Sequence, residues 1–203
     1  MLINYKVGHV VFDRYMEKSL KNKTRQKRSK TETSFLVHKE TKLTMILKEL
    51  LSSSDTKKNL TAMLAEELLK IYSNQDDLTL YVIYDNKIKG KHNVEEHNHE
   101  EADTLSVHKV LTSVSQGGLY HIDVWSPDTD VLILLLDLVA NKHIQRPNQL
   151  NFITGKGVTY KKIDVVEHVQ VIGASKYQGL IGLHNFSGAD WGKICWHSRE
   201  EMD

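Results

Sequence analysis

Glu101, Asp103, Asp128, Asp130 and Asp190 are the side chains of this sequence whose type and spacing invite chemistry. Glu101 and Asp103 flank Ala102, Asp128 and Asp130 flank Thr129, and Asp190 closes a Ser-Gly-Ala-Asp run. Carboxylates gathered in space repel one another and drift toward protonation unless a cation neutralises them. Mg²⁺ or Mn²⁺ suits such a group, because hard divalent ions take oxygen ligands and keep several waters. Two ions about 4 Å apart can bracket a scissile phosphate, one activating water and the other stabilising the leaving oxygen. Each acid also has a plainer reading: Asp13, Asp103 and Asp130 all stand where a helix would take an N-cap.

The acids depend on the elements that hold them. Residues 7–12 (VGHVVF) form a β-branched run that ends at Asp13 and reads as a strand. Residues 78–84 (LTLYVIY) and 120–125 (YHIDVW) read as strands too, with a helical pattern between them at Val107, Val110, Leu111 and Val114. Strand, helix, strand implies an α/β fold around a mainly parallel sheet. In such a sheet sites gather at the carboxyl ends of strands. Asp13, Asp128 and Asp130 fall at such ends, Glu100, Glu101 and Asp103 fall where a loop enters a helix, and Asp190 follows a turn at Gly188.

Elsewhere, residues 41–51 and 57–72 carry apolar positions at helical intervals (Leu43, Ile46, Leu47, Leu50, then Leu60, Met63, Leu64, Leu68), with Ser54 or Asp55 as a cap. Residues 87–104 read as a long loop and residues 131–140 as a helix capped by Thr129 or Asp130. A hairpin follows, turning on Gly155-Lys156-Gly157, and then helices over 163–172 and 176–186.

Ahead of these lies a run of cations. Between Arg14 and Lys30 there are eight Lys or Arg against one acid, Glu17, whereas residues 95–103 hold five carboxylates and no Lys or Arg. At about 100° per residue, Arg14, Lys18, Lys21, Arg25 and Arg28 share one narrow arc of a helix, a stripe able to track phosphates. A solvated face or a nuclear localisation signal would carry the same charges.

Three blocks, His99-Glu-Glu-Ala-Asp-Thr104, Ser126-Pro-Asp-Thr-Asp-Val-Leu-Ile-Leu-Leu-Leu136 and Leu183-His-Asn-Phe-Ser-Gly-Ala-Asp190, resemble in order the acidic blocks of a flap-endonuclease-like PIN domain family. Val10-Val-Phe-Asp13 with the basic run behind it is similar to that family's strand and phosphate-contacting helix. The resemblance implies a three-layer sandwich over residues 1–203, with 14–75 as a helical insertion, and a metal-dependent nuclease acting on DNA more readily than RNA. It implies Glu101, Asp103, Asp128, Asp130 and Asp190 as ligands of Mg²⁺ or Mn²⁺, with Asp13 a further one, and Lys21 and Arg25 as the cations on transition-state charge. Glu100 competes with Glu101, since it shares a helical face with Asp103. The family pattern also expects an earlier strand bearing an aspartate before Met1, and further helices beyond Asp190. A non-catalytic remnant that binds nucleic acid or a protein would keep the same blocks.

The bulk numbers fit one soluble domain. The chain has 203 residues, 40% apolar and 26% charged, and a formal net charge of +1. One cysteine, Cys195, excludes an internal disulfide and fits the reducing nucleus or cytoplasm rather than secretion. No apolar run is long enough to span a bilayer, and Met1-Leu-Ile-Asn lacks the pattern of a secretory signal. His92, His97 and His99 alternate with acids without the spacing of a rigid zinc site. Gly155-Lys156-Gly157 is too short for a phosphate loop, and Trp125, Trp191 and Trp196 could stack on bases but are expected in the core.

Overall fold

The computed structural model describes residues 5–15, 34–42, 46–91, 93–98, 101–115, 117 and 120–187. They belong to two units, Met1–Ala102 and Asp103–Asp203. Both are α/β, and in each the sheet is mixed rather than mainly parallel.

In the first unit the order is β1 (Val7–Val11), one helical turn α1 (Leu47–Leu50), α2 (Ser54–Tyr72), β2 (Thr79–Tyr84), β3 (Lys87–Lys89) and β4 (Val94–Glu96). β1 and β2 run parallel with Val7 opposite Thr79 and Val11 opposite Ile83, and β3 and β4 extend the sheet antiparallel. Leu80, Val82 and Tyr84, alternating along β2, turn one face toward α2. Ala65 meets them there, flanked by Ala62, Leu68, Leu69 and Tyr72 at helical spacing. Leu64, expected in that stripe, is instead exposed. The cap of α2 is Ser53, one residue before the expected Ser54, and its hydroxyl accepts from Thr56 N–H at 3.4 Å. Thr56 is fully buried and its own hydroxyl accepts from Phe35 N–H at 2.8 Å, fastening the segment 34–42 to the start of α2. Of the helix expected over 41–51, the described residues show the four of α1, with Ile46 and Leu47 in solvent; residues 43–45, Leu43 among them, lie outside the described residues.

The expected loop over 87–104 is largely the hairpin of β3 and β4. Lys and Glu fill strand positions that ordinarily carry β-branched residues, and they face each other across the ladder, as Lys87 opposite Glu96 does. Charges on a short outer strand also discourage pairing with another chain.

The second unit opens in α3 (Ala102–Ser115), whose first residue belongs to the first unit, and continues through β5 (His121–Trp125), α4 (Thr129–Ala140), β6 (Gln149–Thr154), β7 (Lys161–Asp164), α5 (Val165–Ile172) and α6 (Ala174–Ser187). β5 pairs parallel with β6, and β6 antiparallel with β7. β2 and β5, the ends of the expected strand–helix–strand, therefore sit in different sheets. Leu135, Leu150, Phe152, Val165 and Val166 form the centre of this unit's core, with Ile122, Val124 and Ile163 partly buried against it. The connection from β6 to β7 contains the expected glycine turn, but a 3₁₀ turn at Gly157–Thr159 lengthens it. Asp164 starts α5 by accepting from Glu167 N–H at 2.9 Å, and Gly173 ends it at φ 96°. Among the described residues no helix is long and apolar enough to cross a membrane.

Candidate metal centre and nucleic-acid interface

In the first unit, Phe12 N–H donates to Ile83 C=O at 2.9 Å, so the ladder of β1 persists to Phe12 and Asp13 follows it directly. Its Oδ1 accepts from Ala102 N–H at 3.1 Å. The end of β1 is thereby tied to Ala102, next to Glu101 in the same unit and 89 residues away in sequence. A carboxylate at the first N–H groups of a helix is favourable on dipole grounds alone, so the contact is also a cap for α3. Asp13 is exposed and Glu101 half-buried.

Asp85 was not among the expected acids, yet it follows β2 as Asp13 follows β1. It takes φ 53° in the tight turn into β3, a conformation Asp tolerates better than most side chains. Lys58 Nζ lies 3.3 Å and Arg14 Nε 3.9 Å from its oxygens. Arg14, expected on phosphate, thus leans toward Asp85. Lys18, Lys21, Arg25 and Arg28 lie outside the described residues.

In the second unit Ser126-Pro-Asp-Thr-Asp130 is the connection from β5 to α4. Ser126 N–H donates to Ile153 C=O at 3.1 Å, and the Ser126 hydroxyl accepts from Asp128 N–H at 3.0 Å. Asp128 is the N-cap of α4, one or two residues before the caps expected, and its Oδ1 accepts from Asp130 N–H at 2.9 Å. Asp130 Oδ1 lies 3.3 Å from Nε2 of His184 on α6. α6 ends at Ser187; Asp190 lies outside the described residues. Asp103 is half-buried in the first turn of α3.

Among the described residues of either unit, no three His, Cys, Asp or Glu side chains gather as a metal-holding group. The acids stand one or two at a time at strand ends and helix starts. Their donors are carboxylate oxygens throughout, the chemistry that a hard divalent ion takes.

The sequence reading also passed over Asp123, in the middle of β5. Its side chain is only 6% exposed, and it accepts from Asn151 Nδ2 at 2.7 Å and Lys162 Nζ at 3.2 Å. Nε2 of His121 is 3.1 Å from both Asp123 Oδ1 and Asn151 Nδ2: protonated, it donates to the carboxylate; deprotonated, it accepts from the amide. The signal was present, since His121, Asp123 and Trp125 alternate with the core residues Ile122 and Val124 and so share the opposite face. A cleft of about 280 Å³ opens beside Tyr72, Tyr81 and Gly90, toward the amino end of β2 and away from Asp85. It takes no part in the acidic candidate site. No family model, curated protein or solved structure matches the chain.

Proposed function

We propose that this chain is a flap-endonuclease-like PIN domain, a three-layer α/β sandwich by descent, that hydrolyses phosphodiester bonds in nucleic acid, DNA in preference to RNA. The observation that supports the reading is the bond from Ala102 N–H to Asp13 Oδ1, which brings Asp13 to the residue next to Glu101 within the first unit. Asp13, Glu101, Asp103, Asp128, Asp130 and Asp190 would hold Mg²⁺ or Mn²⁺. When bound, such ions lower the pKa of water and offset charge on the leaving oxygen. The chain's own part is to fix the acids at helix starts, through Ser126 and the caps of α3 and α4, and to bring cations to the phosphate. Lys21 and Arg25 are the candidates for transition-state charge, and Arg14, Lys18 and Arg28 for the flanking backbone.

A second reading, a non-catalytic module that binds nucleic acid, is favoured by the capping duty of Asp13 and Asp128, which accounts for both side chains without a metal. Purified protein with Mg²⁺ or Mn²⁺ and a branched or 5′-ended DNA separates the two. Cleavage that disappears in Asp128→Ala with Asp130→Ala supports the nuclease. Cleavage that survives the double substitution refutes the metal assignment, and salt-sensitive binding without cleavage supports the module.

A further inference from the structure

Trp125 ends β5 with 43% of its surface exposed, contrary to the core position expected of it. Tyr160, just before β7, is 48% exposed, and the two ring centroids are 6.1 Å apart with planes tilted by 54°. The rings shelter one another in part, and each still keeps over two fifths of its surface in solvent.

Two lysines accompany the pair. Lys156 is exposed in the same connection, and the pairing of Trp125 with Ile153 and of Ile153 with Lys162 sets the exposed Lys162 in the row of Trp125, whereas Lys161 alternates to the other face. Lys162 also reaches Asp123 yet keeps 39% of its side chain exposed, so Lys156 and Lys162 are the lysines to assign to a ligand. Exposed aromatic faces beside ammonium groups match a flexible polyanion that offers flat rings. Single-stranded nucleic acid is such a ligand: every base has a face to stack, and every phosphate a charge to neutralise. A duplex hides its base faces, and a basic peptide would be repelled by the lysines.

We propose that Trp125 and Tyr160 form a base-stacking platform for single-stranded nucleic acid, with Lys156 and Lys162 on its phosphates. Trp125 directly precedes Ser126 and the Asp128-Thr-Asp130 block. The proposal thus deepens the nuclease reading by naming a single strand as the substrate form, and rests on that reading for the link to cleavage alone.

The test is fluorescence anisotropy of the whole chain with a labelled oligodeoxythymidylate of about 12 nucleotides in EDTA, with a duplex of equal length as competitor. Trp125→Ala and Tyr160→Ala should each weaken binding about tenfold, and Trp125→Phe should stay within about threefold of the unaltered chain. Lys156→Ala and Lys162→Ala should each flatten the slope of log affinity against log salt by about 0.7. If Trp125→Ala unfolds, Tyr160→Ala and Trp125→Phe carry the comparison. Equal affinity in the aromatic variants, preference for the duplex, or no binding by the unaltered chain overturns the platform. Platform-dependent binding by a chain that cleaves nothing would refute the nuclease while sustaining the platform.

Discussion

Glu66 on α2 is the residue whose titration the fold most plainly controls. Lys89 Nζ lies 2.6 Å from its Oε1 and holds the carboxyl below its ordinary range, while Glu66 in turn holds the Lys89 ammonium above its own. Burial, then the bond to Glu66, pushes the Tyr84 phenol up. A depressed carboxyl stabilises the fold above its unfolded pKa and loses that contribution as pH falls through the folded value; the raised lysine loses its share only in strong alkali. The pair is well exposed, so Glu66→Gln should cost about 0.5 kcal/mol at pH 7 and nothing measurable near pH 2, by urea unfolding at both. Backbone conformation decides a second contrast. A Cβ on Gly155 would lie 2.1 Å from the Thr159 carbonyl oxygen, whereas one on Gly157 meets nothing within 4 Å, although both have positive φ. Gly157→Ala should cost about 1 kcal/mol and Gly155→Ala clearly more, as read from their melting temperatures. That Gly155 belongs to a turn was legible in the sequence. The clash that makes it obligatory was not, because Thr159 closes on it only through the 3₁₀ turn.

Helix starts are where local and chemical roles of the same residue must be separated. Asp128 caps α4, so Asp128→Ala combines the loss of a cap, about 1 kcal/mol, with the loss of the proposed ligand. Asn and Ser cap as well as Asp, so Asp128→Asn or Asp128→Ser should keep the melting temperature near that of the unaltered chain while still abolishing metal-dependent cleavage. Cleavage that persists in Asp128→Asn at full stability would make Asp128 a cap and nothing more. At α2, Thr56→Val keeps the shape but removes the acceptor for Phe35 N–H, at a cost of about 1 kcal/mol, and should speed proteolysis within residues 34–42. The elements were read correctly where one side of a periodic segment is buried, as in β1, β2, β5, α3 and α4. They were missed in β3 and β4, whose Lys and Glu side chains bury little and therefore leave no alternation to read. Burial on the second face of a strand was likewise illegible. His121-Ile-Asp-Val-Trp125 gives the alternation, but not that Asp123 would be enclosed by Asn151 and Lys162 while Trp125 stays in solvent.

Over the whole molecule, charge is segregated more than it is large. A net charge of +1 offers little long-range attraction for a polyanion, so affinity must come from local groups, and its salt dependence counts them. The acids proposed as ligands stand one or two at a time at strand ends and helix starts, Asp13 after β1 and Asp128 with Asp130 after β5, and any cation there would have to be measured by its effect on stability. If the acids hold a divalent ion in the native state alone, Mg²⁺ must stabilise the fold by linkage, by about 2.7 kcal/mol at a hundredfold excess over Kd. For a chain of this length that shifts the melting temperature by roughly 5–10 °C. The shift should vanish in Asp128→Asn with Asp130→Asn, which retains a capping side chain on α4 and lowers the local negative charge. Scanning calorimetry with Mg²⁺, and with Na⁺ at matched ionic strength, distinguishes site binding from screening. An equal shift from both salts, or one unchanged by the substitutions, would show that the acids serve the fold as helix caps and bind no ion.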